Sequence, residues 1–289
     1  MNASVAPVVT RPVPPSKTEA GENFPVGSRL IAAAHRPVVS AFYRFARLAD
    51  DIADDRAPSV EDKTRRLQAL DALLLGGEPA ADDEGQRAAV ALRGAFLDRG
   101  LSIDHPRHLL QAFMADAINR PCRNWSDLLA YCRYSAAPVG RFLLELHGEP
   151  RDAWPASDAL CAALQILNHL QDCQDDWRRL RRLYVPSDWL AAAGLAPDAL
   201  LMSRVSPALR GVLDRVLDGV DQLNATAAPL PASIRQRGLR MEAAAIVAIS
   251  LKLARKLRRR DPLARRVALS QVEKLAAMAI GAIRGWRAR

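Results

Sequence analysis

Aromatic residues are scarce in this chain of 289 residues, because Phe, Trp and Tyr together make up only 5%. Windows enriched in Val, Ile, Thr and Tyr, which are typical of β-strands, are also few. Gly and Pro residues divide the sequence into about eight to ten helix-length pieces. The sequence therefore predicts an all-α protein, with one domain over residues 23–289 and a disordered tail over residues 1–22.

Cysteine pairs and long apolar runs are also missing. The four cysteines have no CxxC spacing, so neither a disulfide framework nor a zinc site is predicted. The longest uncharged apolar run, from Ala243 to Leu251, is far shorter than the ~20 residues that cross a bilayer. No secretory signal is evident. We expect a cytoplasmic protein without a transmembrane helix.

Motifs for nucleotide and zinc chemistry are absent, because the chain contains no GxGxxG, GxxxxGK[ST] or HExxH sequence. Basic residues, by contrast, are concentrated at one end. The formal net charge is +9, and residues 251–289 alone carry twelve Lys or Arg against two Asp or Glu, a net charge of +10. Leu253 and Leu257 in this segment suit an amphipathic helix with a solvated face. Peripheral contact with an anionic membrane at its inner face is the alternative, and nucleic acid is not expected as a partner.

Residues 37–55 are predicted to form a helix with two distinct stripes. One stripe is apolar and is expected to be buried; it comprises Val38, Phe42, Phe45, Ala49 and Ile52. The neighbouring stripe comprises Tyr43, Arg47, Asp50 and Asp54. The DxxxD spacing places the carboxylates of Asp50 and Asp54 on one helical face, where they repel each other. A bound Mg²⁺ would relieve this repulsion, and a solvated acidic surface is the alternative.

A second acidic set repeats this spacing about 120 residues later. Asn168, Asp172 and Asp176 recur every four residues, and Leu160 and Leu164 extend the same stripe toward the helix start. Two facing DxxxD helices could hold Mg²⁺ ions whose free coordination sites take phosphate oxygens. Arg47 and Arg182 lie close to the two sets and are predicted to grip phosphate, with Tyr184 as a further donor; pairing with the aspartates is the alternative.

Residues 131–140 combine small side chains with an internal proline at Pro138. Two interpretations remain open for this segment. Either another helix packs closely against it, or it forms the wall of a long apolar cavity with a proline kink.

Three ordered motifs resemble the squalene and phytoene synthase family. They are Tyr43-x-Phe45-x-Arg47-x-x-Asp50-Asp51-Ile52-Ala53-Asp54, Tyr131-Cys132 leading to Val139-Gly140, and Asn168-x-x-x-Asp172-x-x-x-Asp176. The resemblance extends from about residue 22 to residue 266. It implies an isoprenoid-synthase-type helical bundle around a central cavity, in an enzyme that acts on a prenyl diphosphate.

The resemblance also implies roles for single residues. Asp50, Asp54, Asp172 and Asp176 would hold Mg²⁺. Arg47, Asn168, Arg182 and Tyr184 would bind the diphosphate. Tyr43 and Tyr131 would be catalytic. Asp51 and Asp175, one position from predicted metal ligands, are candidates for positioning a reacting water, with solvation of the helix surface as the alternative.

Residues 22–28, His35-Arg36-Pro37 and residues 167–172 look most like the branch of the family that converts presqualene diphosphate and water to hydroxysqualene and pyrophosphate. This resemblance implies functional coupling to a presqualene diphosphate synthase and a hydroxysqualene reductase. The alternatives are condensation of two farnesyl diphosphates to presqualene diphosphate, phytoene formation, or a non-catalytic basic helical module.

Overall fold

The computed structural model describes residues 30–80 and 82–287, and these residues form helices with no β-strand among them. The α-helices are α1 Arg36–Asp54, α2 Val60–Leu74, α3 Glu84–Leu97, α4 Asp104–Ala117, α5 Trp125–Ser135, α6 Ala137–Leu146, α7 Trp154–Asp175, α8 Ser187–Ala192, α9 Pro207–Ala227, α10 Leu230–Ser233, α11 Arg237–Arg259 and α12 Gln271–Arg287. Two 3₁₀ turns, Arg151–Ala153 and Pro197–Leu201, and a π-helical turn, Asp176–Leu180, complete the set. The all-α prediction is confirmed. The predicted tail over residues 1–22 lies outside the described residues.

The predicted number of eight to ten helices is too low for the described part of the chain. Residues 131–140 form the end of α5 and the start of α6, because the chain leaves helical geometry at Ala136 and Pro138 occupies the first turn of the new helix. The short helices α8 and α10, of six and four residues, account for the remaining difference.

Helix α1 matches its predicted bounds to within one residue at each end. Pro37 stands in its first turn, where a missing amide hydrogen costs no helical hydrogen bond. The predicted apolar stripe is buried, with exposures between 0% for Phe45 and 7% for Ile52. Burial of this stripe fixes the rotation of α1 about its own axis. It thereby points the neighbouring stripe of Tyr43, Arg47, Asp50 and Asp54 at an internal cavity.

The apolar core has two main clusters on either side of that cavity. Helices α1 to α4 and α6 supply one cluster, in which the rings of Phe42, Phe96 and Phe142 stack with centroids 4.4–5.9 Å apart. Helices α5, α7, α9 and α11 supply most of the other. Helix α7 contacts α5, α6, α9 and α11, so it lies at the centre of the molecule. A third, smaller cluster joins α7 to α10 and α11 and supplies Leu160, Leu164 and Leu239 to the apolar wall of the cavity.

The basic end of the chain forms α11 and α12, which pack antiparallel because Gly281 lies against Ala245 and Gly285 against Met241. Leu253 and Leu257 are buried on α11, as an amphipathic helix requires, but the segment is not one helix, because α11 ends at Arg259 and α12 begins at Gln271. Part of the positive charge is paired internally, since Arg258 binds Asp218 and Asp221. Among the described residues, no helix has both the length and the apolar composition that crossing a bilayer requires.

Candidate active site

A cavity of about 360 Å³ lies between α1, α4, α6, α7 and α11. The polar lining at one end comprises Tyr43, Arg47, Asp50, Asp54, Asp116, Tyr131, Asn168, His169, Asp172, Asp176, Arg182 and Tyr184. Apolar side chains line most of the rest, including Ile31, Phe42, Phe113, Leu160, Leu164, Ile234, Leu239 and Ile246. Four further polar residues lie among them: Ser135, Ser157, Gln165 and the buried Glu242. On α7, eight residues separate Leu164 from Asp172, a rise of about 12 Å along the helix axis. One cavity thus has an acidic end and a mainly apolar interior.

The first aspartate pair stands in the last two turns of α1. Arg47 lines the cavity and also forms two hydrogen bonds within α1, to Asp50 at 2.6 Å and to Asp51 at 3.2 Å. Burial and the neighbouring Asp54 carboxylate raise the pKa of Asp50 to about 7, against the opposing effect of Arg47. The negative charge of this pair is therefore only partly compensated by the side chains around it.

Arg182 links this pair to the other side of the cavity. The π-helical turn after α7 ends at Arg181, whose positive φ of 55° reverses the chain direction and brings Arg182 inward. Arg182 is 7% exposed and binds the Asp54 carboxylate. It also donates to the backbone carbonyl of Ala53 at 3.0 Å and to that of Asp116 at 3.2 Å. π-Helical turns often occur at functional sites, and this one aims a guanidinium at the acidic end of the cavity.

Asp116, at the end of α4, is the centre of a buried network that the sequence interpretation missed. Tyr131 and Tyr184 each donate a hydrogen bond of 2.8 Å to its carboxylate. Burial raises the pKa of Asp116, although Arg182 and the two tyrosines oppose the shift. Burial, together with Asp116, holds the pKa of both tyrosines well above the usual value. Both phenols consequently stay protonated and act as donors.

The second aspartate pair lies on α7 and the turn that follows it. Arg266 holds Asp172 in a bidentate contact at 2.5 and 3.0 Å, and His169 lies 3.8 Å from Asp176. The His169 ring stacks on Tyr184 with centroids 3.6 Å apart. Asn168 lines the cavity one turn before Asp172, as its spacing predicts. The cavity therefore brings together both predicted aspartate pairs and all four predicted diphosphate-binding residues.

Asp51 and Asp175, predicted to position a reacting water, do not line the cavity. Asp51 pairs with Arg47, and Asp175 is 62% exposed at the side chain and lies 3.6 Å from Arg178. Asp51 follows Asp50 by one position, and Asp175 precedes Asp176 by one position. One position along a helix rotates a side chain by about 100° around the helix axis. The helix geometry that brings Asp50 and Asp176 into the cavity thus takes their neighbours out of it.

Both interpretations of residues 131–140 describe the structure. Val139 and Gly140 line the cavity, so the segment is a wall. Gly140 also lies against α7, because a Cβ at this position would meet Ser157 Oγ and come within 2.7 Å of Cys161 Sγ. The expected kink within a helix is wrong, since Pro138 begins α6.

Asp116, His169 and Arg266 at the acidic end, and Glu242 in the cavity wall, were not identified from the sequence. The sequence could have indicated Asp116, because it is the one charged residue in the largely apolar segment 111–119. His169 stands inside the second motif but belongs to no catalytic pattern that spacing alone reveals. Arg266 is one of twelve basic residues near the end of the chain, and only the folded structure distinguishes it from the others.

Comparisons with known proteins identify the family of this chain. The squalene/phytoene synthase family model matches residues 17–273. A hydroxysqualene synthase from Rhodopseudomonas palustris is 44% identical over 257 residues, which are 89% of this chain and 86% of that protein. A hydroxysqualene synthase from Sinorhizobium fredii is 42% identical over 88% of this chain and 85% of that protein.

A solved structure of a squalene synthase from Alicyclobacillus acidocaldarius superposes with a TM-score of 0.69 at 26% identity. The match covers 81% of this chain and 87% of that one. The range matched by the family model spans all three motifs that carry the resemblance. The chain belongs to the squalene/phytoene synthase family.

Proposed function

We propose that this chain converts presqualene diphosphate and water to hydroxysqualene and pyrophosphate. The proposal rests on two aspartate pairs that face one apolar cavity, in a chain 44% identical to a hydroxysqualene synthase. The acidic end of the cavity suits a diphosphate that is held through cations and arginines, and the apolar interior suits a long hydrocarbon. These two features match the two halves of a prenyl diphosphate.

We further propose that Asp50, Asp54, Asp172 and Asp176 hold Mg²⁺. Their oxygens are the hard ligands that this ion prefers. Burial and the Asp54 carboxylate raise the pKa of Asp50, and a bound cation would oppose both effects. Mg²⁺ typically binds through one or two carboxylates and completes its shell with phosphate oxygens and water, so each aspartate pair would supply the protein ligands of an ion. When bound, the ion would stabilise the charge on the departing diphosphate.

The arginines and tyrosines at the acidic end would orient the substrate. Arg47 and Arg182 can each present two N–H groups to phosphate oxygens, and Asn168 and Tyr184 add further polar contacts. Asp116 positions Tyr131 and Tyr184, because it accepts a hydrogen bond from each. A pre-arranged set of donors is most effective where charge develops in the transition state.

Ionisation would break the bond between carbon and the bridging oxygen, and the electron pair would leave with pyrophosphate. The rings of Tyr131, His169 and Tyr184 lie within 5.7 Å of one another and would face the resulting cation. The apolar walls would exclude bulk water while the carbon skeleton rearranges. One water oxygen would then bond to the cation and lose its proton, which yields the alcohol. Tyr43, which also lines the cavity, completes the proposed set of catalytic side chains.

The proposed reaction is tested by giving the purified protein presqualene diphosphate and Mg²⁺ without NADPH. We expect release of pyrophosphate and formation of a C30 alcohol, because water is the only nucleophile that the reaction needs. In ¹⁸O-labelled water the alcohol should carry the label, since the new carbon–oxygen bond forms after the old one breaks.

Three results would contradict the proposal. An unlabelled alcohol would indicate cleavage at phosphorus, as in a phosphatase. A strict requirement for NADPH would indicate a reductive synthase. Activity with farnesyl or geranylgeranyl diphosphate alone would favour the condensing reactions that lead to presqualene diphosphate or phytoene.

A further inference from the structure

Helix α12 has two apolar faces, of which the protein covers only one. The inner face is built from small residues, because Ala277, Gly281 and Gly285 are buried. Any Cβ on Gly281 would collide with the backbone of Ala245 on α11. This close approach fixes the rotation of α12 about its own axis, and it therefore determines which side chains point away from the protein.

The outer face carries large apolar side chains in solvent. They are Val272 at 76% exposure, Leu275 at 63%, Ile280 at 51%, Ile283 at 55% and Trp286 at 56%. At about 100° per residue, these five fall within an arc of roughly 140°, together with exposed alanines at 276 and 279. Arg287 is the one charged residue in that arc. The other exposed large apolar residues in the described chain are dispersed over several elements, whereas α12 presents a continuous stripe.

Unpaired positive charge accompanies this stripe. Arg284 and Arg287 on α12, and Arg255 and Arg259 on α11, are exposed and form no ion pair with any residue that the structure describes. Residues 251–289 carry a formal net charge of +10, and three of their bases form ion pairs with described residues: Lys256 with Glu273, Arg258 with Asp218 and Asp221, and Arg266 with Asp172. An apolar stripe with cationic neighbours is typical of helices that lie in the headgroup region of a membrane.

We propose that the outer face of α12 docks on an anionic lipid bilayer, with the helix axis parallel to the membrane plane. The stripe would lie roughly 5–10 Å deep, at the boundary between headgroups and acyl chains. Trp286 suits that depth, because indole rings favour the membrane–water interface, and the guanidinium of Arg237 lies over its ring. Arg255, Arg259, Arg284 and Arg287 would contact lipid phosphates.

Charge favours a bilayer over a second copy of the chain as the occupant of this face. Two copies that meet through α12 would bring two segments of net charge +10 together, and like charges at an interface oppose association. An anionic lipid surface complements the same charge. The docking also has a geometric consequence, since Leu239 and Ile246 on α11 line the cavity. Only α11, a helix of about 10 Å diameter, would separate the cavity from the membrane-bound helix.

The test measures binding of the full chain to sedimented vesicles of phosphatidylcholine, with and without phosphatidylglycerol. Leu275→Gln with Ile283→Gln removes two apolar side chains from the stripe. The matched control is Leu75→Gln with Leu97→Gln, at 58% and 60% exposure on the α2 end and on α3. We expect the α12 variant to bind anionic vesicles about tenfold or more weakly, and the control to bind like wild type. Circular dichroism should be the same for all three proteins, because the replaced residues are exposed.

Two further measurements separate the contributions. Replacing Arg284 and Arg287 by Gln should weaken binding at low salt, whereas raising the salt should release only part of the wild type, because the apolar contact is not screened. Brominated lipids should quench tryptophan fluorescence in wild type and much less in Trp286→Phe.

The proposal is overturned if wild type fails to bind anionic vesicles, or if the α12 variant binds as well as the control. It is also overturned if ultracentrifugation without lipid finds a dimer that Leu275→Gln with Ile283→Gln dissociates, because a second copy would then occupy the face. None of these outcomes depends on the reaction proposed above, so the two proposals can fail separately.

Discussion

Asp50 and Asp172 occupy corresponding places in the two aspartate pairs, but they have different partners. Asp50 binds Arg47 on its own helix, three residues away, whereas Asp172 binds Arg266, which is 94 residues away. The ion pair of Asp50 therefore forms within one helix, whereas the ion pair of Asp172 forms only when distant parts of the chain have folded together. Both carboxylates nevertheless line the same cavity, and this shared position leads to the first prediction.

Asp50→Asn or Asp172→Asn should reduce turnover about 10²-fold or more, because each removes a carboxylate that would bind the metal and so help to stabilise the departing diphosphate. Asn is nearly isosteric with Asp, so circular dichroism should not change. Asp175→Asn is the matched control on α7, because Asp175 is adjacent to Asp176 but exposed. Turnover on presqualene diphosphate measures the effect. Wild-type activity in both site variants would show that the pairs are not the metal site, and a loss in Asp175→Asn would restore that residue as a water-positioning candidate.

The raised pKa of Asp50 predicts a pH dependence of stability. The folded protein retains a proton up to about pH 7 that the unfolded chain releases near pH 4. The unfolded state thus binds fewer protons in this range, and the free energy of unfolding should fall as the pH rises from 4 to 7. Asn imitates the protonated carboxyl, so Asp50→Asn should stabilise the metal-free protein at pH 8 and have little effect at pH 5.

Urea unfolding in EDTA at a series of pH values measures this dependence. Asp71→Asn is a useful comparison, because Asp71 lies outside the cavity and binds Arg107. An Asp50→Asn variant that is less stable than wild type at pH 8 would contradict the prediction, since it would mean that the hydrogen bond from Arg47 outweighs burial and the repulsion from Asp54.

At the scale of elements, short-range patterns predict the site helices well. The apolar stripe of α1 repeats every three or four residues, and that spacing is sufficient to place Asp50 and Asp54 on the cavity side. The π-helical turn after α7 has no comparable signal, because no apolar repeat or capping residue in the sequence marks the widened turn or the positive φ of Arg181. Sequence spacing therefore places Asp172 but could not predict how Arg182 reaches Asp54.

The contact between α6 and α7 also predicts a stability effect. Gly140→Ala should cost about 1–3 kcal/mol, because the added methyl group would meet Ser157 and Cys161 and push the helices apart. Gly94→Ala on α3 is the control, since no atom lies within 4 Å of the added carbon. That variant should gain about 0.5–1 kcal/mol from the better helix propensity of Ala. Urea unfolding distinguishes the two, and equal stability changes would contradict the close packing.

At the scale of the whole molecule, the site joins two apolar clusters. Asp50 and Asp54 stand on the α1 side, whereas Asp172 and Asp176 stand on the α7 side. The sequence predicts that both sets serve one site, but the tertiary contacts that complete it, through Asp116, His169 and Arg266, follow from no local pattern. A ligand that binds both sets at once should stabilise the contact between the clusters.

Mg²⁺ together with pyrophosphate should therefore raise the unfolding temperature. Ligand at a hundred times its Kd contributes about 2.7 kcal/mol, which for a protein of this size corresponds to about 4–5 °C. Asp50→Asn and Asp172→Asn should each lose most of this increase, and pyrophosphate in EDTA should give little. Scanning calorimetry measures the effect without any turnover. An equal increase in wild type and both variants would show that the ligand binds elsewhere.

Arg182 and Asp54 are 128 residues apart along the chain, and this separation has a consequence for synthesis. At about 5–20 residues per second, roughly 6–26 s pass between the emergence of Asp54 and that of Arg182 from a ribosome. Throughout that interval Asp54 lacks its Arg182 partner, and the acidic wall of the cavity is incomplete. The nascent chain therefore cannot bind a diphosphate between its two aspartate pairs until well over half of it has been made.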